Sequence, residues 1–263
     1  MHDLAFVFAG FLVGLVVGLT GVGGGSLMTP ILIFFFGVKP YLAVGTDLLF
    51  AAFTKLGGTV NLARTKTVDW KIVASLCAGS IPAALITIYF LHTVGTSNPA
   101  VQKVMTTTLG FALLLTALAT LYKAIKGKTT PRDLSPAQLQ LATQPRHWAL
   151  PVLFGALIGA LVSVTSVGAG AIGVTVLMLL YPALPLPRIV AADLAYAVPL
   201  TLVAGLGHAS IGSVDWALLG KLLIGSLPGI WLGTHFSAKV PERALRSLLS
   251  VLLAYAGLKL IAI

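Results

Sequence analysis

The chain has 263 residues, of which 57% are hydrophobic and 9% charged, and its 17 Lys and Arg against 7 Asp and Glu give a formal net charge of +10. A mean hydropathy of +1.00 excludes a water-soluble domain and points to an integral membrane protein. The basic residues lie in short stretches at helix ends and not on one basic and aromatic surface, so topology explains them without a nucleic-acid partner, and the lone Cys77 excludes a disulfide framework or a cysteine metal cluster.

Apolar runs separated by polar or Pro/Gly clusters predict helices crossing a hydrocarbon core of about 30 Å, and no β-type alternation is visible. A first helix is expected from about Leu4 to Leu19. It follows Met1-His2-Asp3, which carries no base, and it ends in glycines, not a small-x-small cleavage site, so it reads as a retained helix. A break at Thr20–Gly25 leads to a short helix, Ser26–Phe36, and a turn at Gly37–Pro40. An apolar segment, Tyr41–Val60, carries Asp47 and Lys55, and a loop with Arg64 and Lys66 follows. Two ordinary spans are expected at Trp70–Leu91 and Val101–Tyr122. The hydrophilic stretch after them holds Lys123, Lys126, Lys128, Arg132 and Arg146 with Pro131, Pro136 and Pro145, and marks a boundary. The order then repeats as Trp148–Val164, a break at Thr165–Gly170, Ala171–Tyr181, Ile189–Leu206, Trp216–Phe236 and Arg243–Ile261.

The second series copies the first at an offset of about 145 residues. Gly10, Leu12, Gly14, Val17, Thr20, Val22, Gly23 and Gly25 recur as Gly155, Leu157, Gly159, Val162, Thr165, Val167, Gly168 and Gly170. After a one-residue slip, Asp47, Val68-Asp69-Trp70 and Gly79-Ser80-Ile81-Pro82 recur as Asp193, Val214-Asp215-Trp216 and Gly225-Ser226-Leu227-Pro228. The expected fold is therefore an all-α polytopic membrane protein of two repeats, each with a glycine-broken pair of short helices and three further helices. The units are residues 1–125 and 148–263, joined by a basic cytoplasmic linker at 126–147.

Charge orients the repeats. Arg64, Lys66 and Lys71 flank the loop after the first Asp-bearing helix, whereas Gly207–Asp215 contains no Lys or Arg, so the two loops are expected on opposite sides. With the linker and the Lys239, Arg243 and Arg246 region cytoplasmic, both termini fall outside and the repeats are inverted. Each half then crosses an odd number of times, so each pair of short helices is expected to turn back at its glycines. Irregular backbone at membrane depth is tolerated only inside protein or beside a polar cavity.

The breaks supply candidate substrate-binding residues: Thr20, Gly21, Gly23, Gly24, Gly25 and Ser26 in the first half, and Thr165, Ser166, Gly168 and Gly170 in the second. Helix starts present unpaired N–H groups and a positive dipole end, which attract an anion; close packing through small residues is the competing reading. No Gly-Lys-[Ser/Thr] follows either glycine run, so neither is a P-loop. Asp47 and Asp193 sit inside apolar helices, where an ionised carboxylate costs about 2.5–3.5 kcal/mol on insertion scales. They are candidates for proton coupling or gating, or alternatively for structural capping. Lys55 and Arg188 are candidate countercharges that can also snorkel to the interface.

The repeated Asp69-Trp70 and Asp215-Trp216 pairs read as an N-cap with an interfacial anchor. The Gly-Ser-x-Pro segments read as kinks, hinges or cavity wall. His2, His92, His147, His208 and His235 show no metal spacing, and His208 and His235 read as polar interface residues. No catalytic residue, metal or cofactor is expected. The partners expected are a small anion, the bilayer, protons and a second copy of the chain.

Gly18–Ser26, Gly45-Thr46-Asp47, Val68-Asp69-Trp70 and the Gly-Ser-x-Pro segments at Gly79 and Gly225 resemble, in that order, the TauE/SafE family of membrane permeases. The resemblance covers nearly the whole chain. It implies a secondary carrier for a sulfur-containing oxyanion, often an exporter of sulfite or of small sulfonates such as sulfoacetate. The second half departs with Ser166 for Gly21 and Ala169 for Gly24, which implies an asymmetric pocket. A passive anion channel and an uptake permease for an aromatic sulfonate are the alternatives. An intramembrane aspartyl enzyme is disfavoured, because Val44-Gly45-Thr46 and Val190-Ala191-Ala192 precede the two acids in place of a Gly-x-Gly pattern.

Overall fold

The computed structural model describes residues 2–20, 25–64, 66–126, 142–143, 149–236 and 242–262. Every long regular element among them is an α-helix. The first half contributes α1 (His2–Thr20), α2 (Gly25–Phe36), α3 (Pro40–Arg64), α4 (Trp70–Val94) and α5 (Pro99–Lys126). The second contributes α6 (Ala149–Thr165), α7 (Ala171–Leu180), α8 (Leu186–Ser210), α9 (Trp216–Phe236) and α10 (Glu242–Ile261). Most of the linker, and the expected loop around Lys239, lie outside the described residues.

Four helices, Trp70–Val94, Pro99–Tyr122, Leu186–Ser210 and Trp216–Gly233, are long and apolar enough to cross a membrane. By contrast α7, with 10 residues, rises only about 15 Å, half of a hydrocarbon core. Helix α3 runs through Arg64, past the loop expected after Val60, because a base in the last turn complements the dipole there. The Asp69 carboxylate caps α4 by accepting from the Lys71 and Ile72 amides at 3.1 and 3.4 Å, and Asp215 accepts from the Leu218 amide at 2.9 Å at the start of α9. Trp70 and Trp216 are exposed beside these caps. The sequence reading of Asp69 and Asp215 as N-caps therefore holds.

Helices pair across the halves: α1 with α9, α4 with α6, α3 with α8, and α5 with α10. Exchanging the halves maps this set of pairs onto itself. Glycine makes the closest pairs possible. A side-chain carbon on Gly10 or Gly14 would strike the carbonyl oxygens of Leu222 and Ser226, and one on Gly155 or Gly159 would strike those of Leu76 and Ser80. These are small-xxx-small contacts, in which backbones touch directly. Their register increases along both chains, so α1 runs parallel to α9 and α6 parallel to α4. Gly79 approaches the Val152 carbonyl and Gly225 that of Val7, so the Gly-Ser-x-Pro segments act as packing surfaces in helices that continue through Pro82 and Pro228.

Helix α3 faces α8 in the opposite sense. Gly45 lies at His208, Leu49 at Gly205, and the Thr59 hydroxyl donates to the Leu194 carbonyl at 3.3 Å. The core clusters draw on both halves, the largest joining Val44, Leu48, Ile72 and Leu76 to Ile158, Val162, Tyr196 and Leu200. Outward positions remain apolar, with Phe90, Leu118 and Trp231 more than half exposed. Such a periphery suits hydrocarbon and is unusual against water.

Candidate functional site

The centre of the bundle holds ionisable groups that its composition makes rare. Asp47 is fully buried in α3, and its Oδ2 accepts a hydrogen bond from the Thr29 hydroxyl of α2. The Ser166 hydroxyl, from the break in the other half, lies beside the same carboxylate. Ser166 Oγ and Asp47 Oδ1 are both buried, yet neither makes a hydrogen bond of ordinary geometry. Such atoms cost about 1–3 kcal/mol each when left unpaired, and they concentrate where a structure takes a ligand or proton.

Lys55, two helical turns beyond Asp47 on α3, is 4% exposed. Its ammonium donates to the Ala169 carbonyl at 3.1 Å, inside the second glycine break. It does not snorkel to an interface. It lies in the electrostatic field of both Asp47 and Asp193. Asp193, buried in α8, lies against the first turn of α7, where a side-chain carbon on Gly173 would collide with its Oδ1. Each acid therefore packs near the start of the short helix of its own half, the end whose dipole favours negative charge.

The second break has an unusual backbone. Ser166 has φ +60°, an uncommon conformation for a residue with a side chain, and Gly168 and Gly170 have φ +139° and +133°. The Thr165 hydroxyl closes the turn, accepting from the Val167 amide at 3.1 Å and donating to the Leu161 carbonyl at 2.7 Å. Gly168 O accepts from the Gly173 amide at 2.9 Å, and Gly170 precedes α7. Of the candidate site residues in the first half, Thr20 ends α1, Gly25 opens α2 and Ser26 is buried in its first turn. Gly21, Gly23 and Gly24 lie outside the described residues.

Arg188, the other candidate countercharge, stands in the first turn of α8 and is partly exposed. His208 corrects the sequence expectation of an interface residue. It is fully buried, and its Nε2 lies 2.8 Å from the Ser163 carbonyl, so that nitrogen carries the hydrogen. Gly45 of α3 packs closely against the His208 side chain at that level.

Sequence reasoning missed Thr29, Gly173 and the Ala169 carbonyl. The signal was in the repeat alignment, where Val174 stands opposite Thr29 and Met28 opposite Gly173.

Interlocked apolar helices around a buried Asp–Lys–Asp cluster define a polytopic membrane protein. The chain belongs to the sulfite exporter TauE/SafE family, which matches residues 6–260. It is 36% identical to the probable membrane transporter protein YjnA of Bacillus subtilis, over 98% of this chain and 100% of that one. It is 27% identical to YunE of the same organism, also a probable membrane transporter protein, over 99% and 98% of the two chains. A third such protein, from Methanocaldococcus jannaschii, is 28% identical over 96% and 92%. No solved structure matches.

Proposed function

We propose that this chain is a secondary active transporter that moves sulfite or a small organosulfonate such as sulfoacetate across the cytoplasmic membrane of a prokaryote, coupled to protons and in the direction of export. The observation that carries this reading is the Lys55 ammonium, buried between Asp47 and Asp193 and anchored on the second glycine break. A buried cation beside helix starts attracts a compact oxyanion. The two carboxylates compete with that oxyanion for the same positive field. Protonating one releases part of the field, so a proton and an anion occupy the centre together and leave together.

The reading places Thr20, the glycines of both breaks, Ser26, Thr165 and Ser166 around the anion. Thr165 acts there through the turn it closes. Alternating access of inverted repeats supplies the movement, and the antiparallel register of α3 against α8 supports it, since equivalent helices of inverted repeats run in opposite senses. In this arrangement the linker is cytoplasmic and both termini are outside.

The test is flux in proteoliposomes. Uptake of labelled sulfite and sulfoacetate that saturates, responds to an imposed proton gradient and is not displaced by acetate supports a sulfur-anion carrier. Current proportional to voltage identifies a channel instead, and equal competition by acetate rejects the substrate class.

A further inference from the structure

Buried positions at which the two halves differ gather around Asp193. Tyr181 and Tyr196 stand in the second half where the first has Phe36 and Phe50. Both tyrosines are buried, at 2% and 0% exposure. Tyr196 follows Asp193 by one turn of α8, which places the two on one face. Its hydroxyl comes up to the hydroxyl of Ser80 on α4, yet neither has a hydrogen bond of ordinary geometry. Tyr181, just past the end of α7, brings its hydroxyl to Ser75, nearer the Asp69 end of α4. Phenylalanine fills the equivalent places in the first half, so packing alone does not require these hydroxyls.

The Asp47 side is made differently. There Thr29 donates to the carboxylate, and Val174 occupies the equivalent sequence position in the second half. We propose that the Tyr196–Ser80 hydroxyl pair, with Tyr181 as its outer station, relays protons between the Asp69 edge of the membrane and Asp193. This makes Asp193 the acid that the relay serves.

The proposal rests on the proton-coupled reading above. A hydroxyl oxygen takes a proton on a lone pair and gives up its own, so each station ends as it began. Where stations are not in contact, the relay requires water to carry the proton between them. Lys55 and, through it, Asp47 face Asp193 from α3, while Cys77 faces Tyr196 from α4. Helices α6 and α7 contribute no titratable side chain.

The test compares wild type with Tyr196→Phe, Ser80→Ala and Tyr181→Phe in proteoliposomes, using labelled sulfite and an internal pH dye. Two readouts are taken: net flux driven by a proton gradient, and one-for-one exchange of labelled for unlabelled anion, which needs no net proton movement. Tyr196→Phe and Ser80→Ala should each cut net flux by about tenfold or more while leaving exchange and its KM within about twofold, with a smaller cut for Tyr181→Phe. Preserved exchange also shows that the variants are folded. Net flux and exchange falling together, or neither falling, overturns the relay. Wild type that exchanges sulfite but ignores the proton gradient overturns the proton-coupled reading itself, before any variant is considered.

Discussion

Lys55→Met tests whether one ammonium holds the centre together. Methionine keeps an unbranched stem of similar bulk and deletes the charge. Lys55 is 4% exposed and is the basic side chain facing Asp47 and Asp193, so water does not replace it. Breaking a buried pair by removing one partner costs about 3–5 kcal/mol. For a chain of this length each kcal/mol moves the melting temperature by about 2–4 °C, which gives a fall of about 6–20 °C. Lys71→Met, at an exposed position, is the control and should stay within about 0.5 kcal/mol of wild type. The assay is thermal unfolding in detergent at one protein concentration and scan rate. The added changes Asp47→Asn and Asp193→Asn should recover most of the loss, because the cluster is then neutral. Lys55→Met melting within about 2 °C of wild type, or a triple variant no more stable than Lys55→Met, would refute the shared-countercharge reasoning.

Gly14→Ala or Gly159→Ala should cost about 1–3 kcal/mol by forcing paired backbones apart, whereas Gly220→Ala, whose new carbon meets nothing within 4 Å, should gain about 0.4–1 kcal/mol; melting curves of the three variants decide it. Gly173→Ala should abolish transport by displacing the Asp193 carboxylate while the protein still purifies as a folded species, so full activity in that variant contradicts the contact. In a Cys77→Ala background, Lys66→Cys and Gly212→Cys should react with a membrane-impermeant maleimide from opposite faces of oriented vesicles, and labelling from the same face removes the inverted arrangement.

Helix order was legible because apolar runs, terminal glycines and repeated caps are local signals. Helix pairing was not, since Gly10, Gly14, Gly155 and Gly159 mark a close approach without naming the partner. The acids were legible by their cost in an apolar helix. Lys55 was ambiguous, because a stem long enough to reach an interface also reaches the Ala169 carbonyl, and only the packed bundle decides between them. His208 was misread because proximity to a helix end in sequence does not reveal that α3 and α6 cover it.

The repeats themselves explain which parts were readable. Positions that recur, such as Gly10 with Gly155, Gly14 with Gly159 and Asp69 with Asp215, pack or cap the same way in both halves and form the scaffold. Positions that diverge carry the asymmetry of the centre: Thr29 against Val174, Met28 against Gly173, Lys55 against Thr201, and Phe50 against Tyr196. A perfectly symmetric site would place two equivalent acids around one cation, with nothing to distinguish them. Divergence around Asp47 and Asp193 breaks that equivalence while the shared scaffold keeps both beside Lys55. In this duplicated chain, identity between the halves finds both the packing glycines and the two central acids, and difference at buried positions marks where the two sides of the centre diverge.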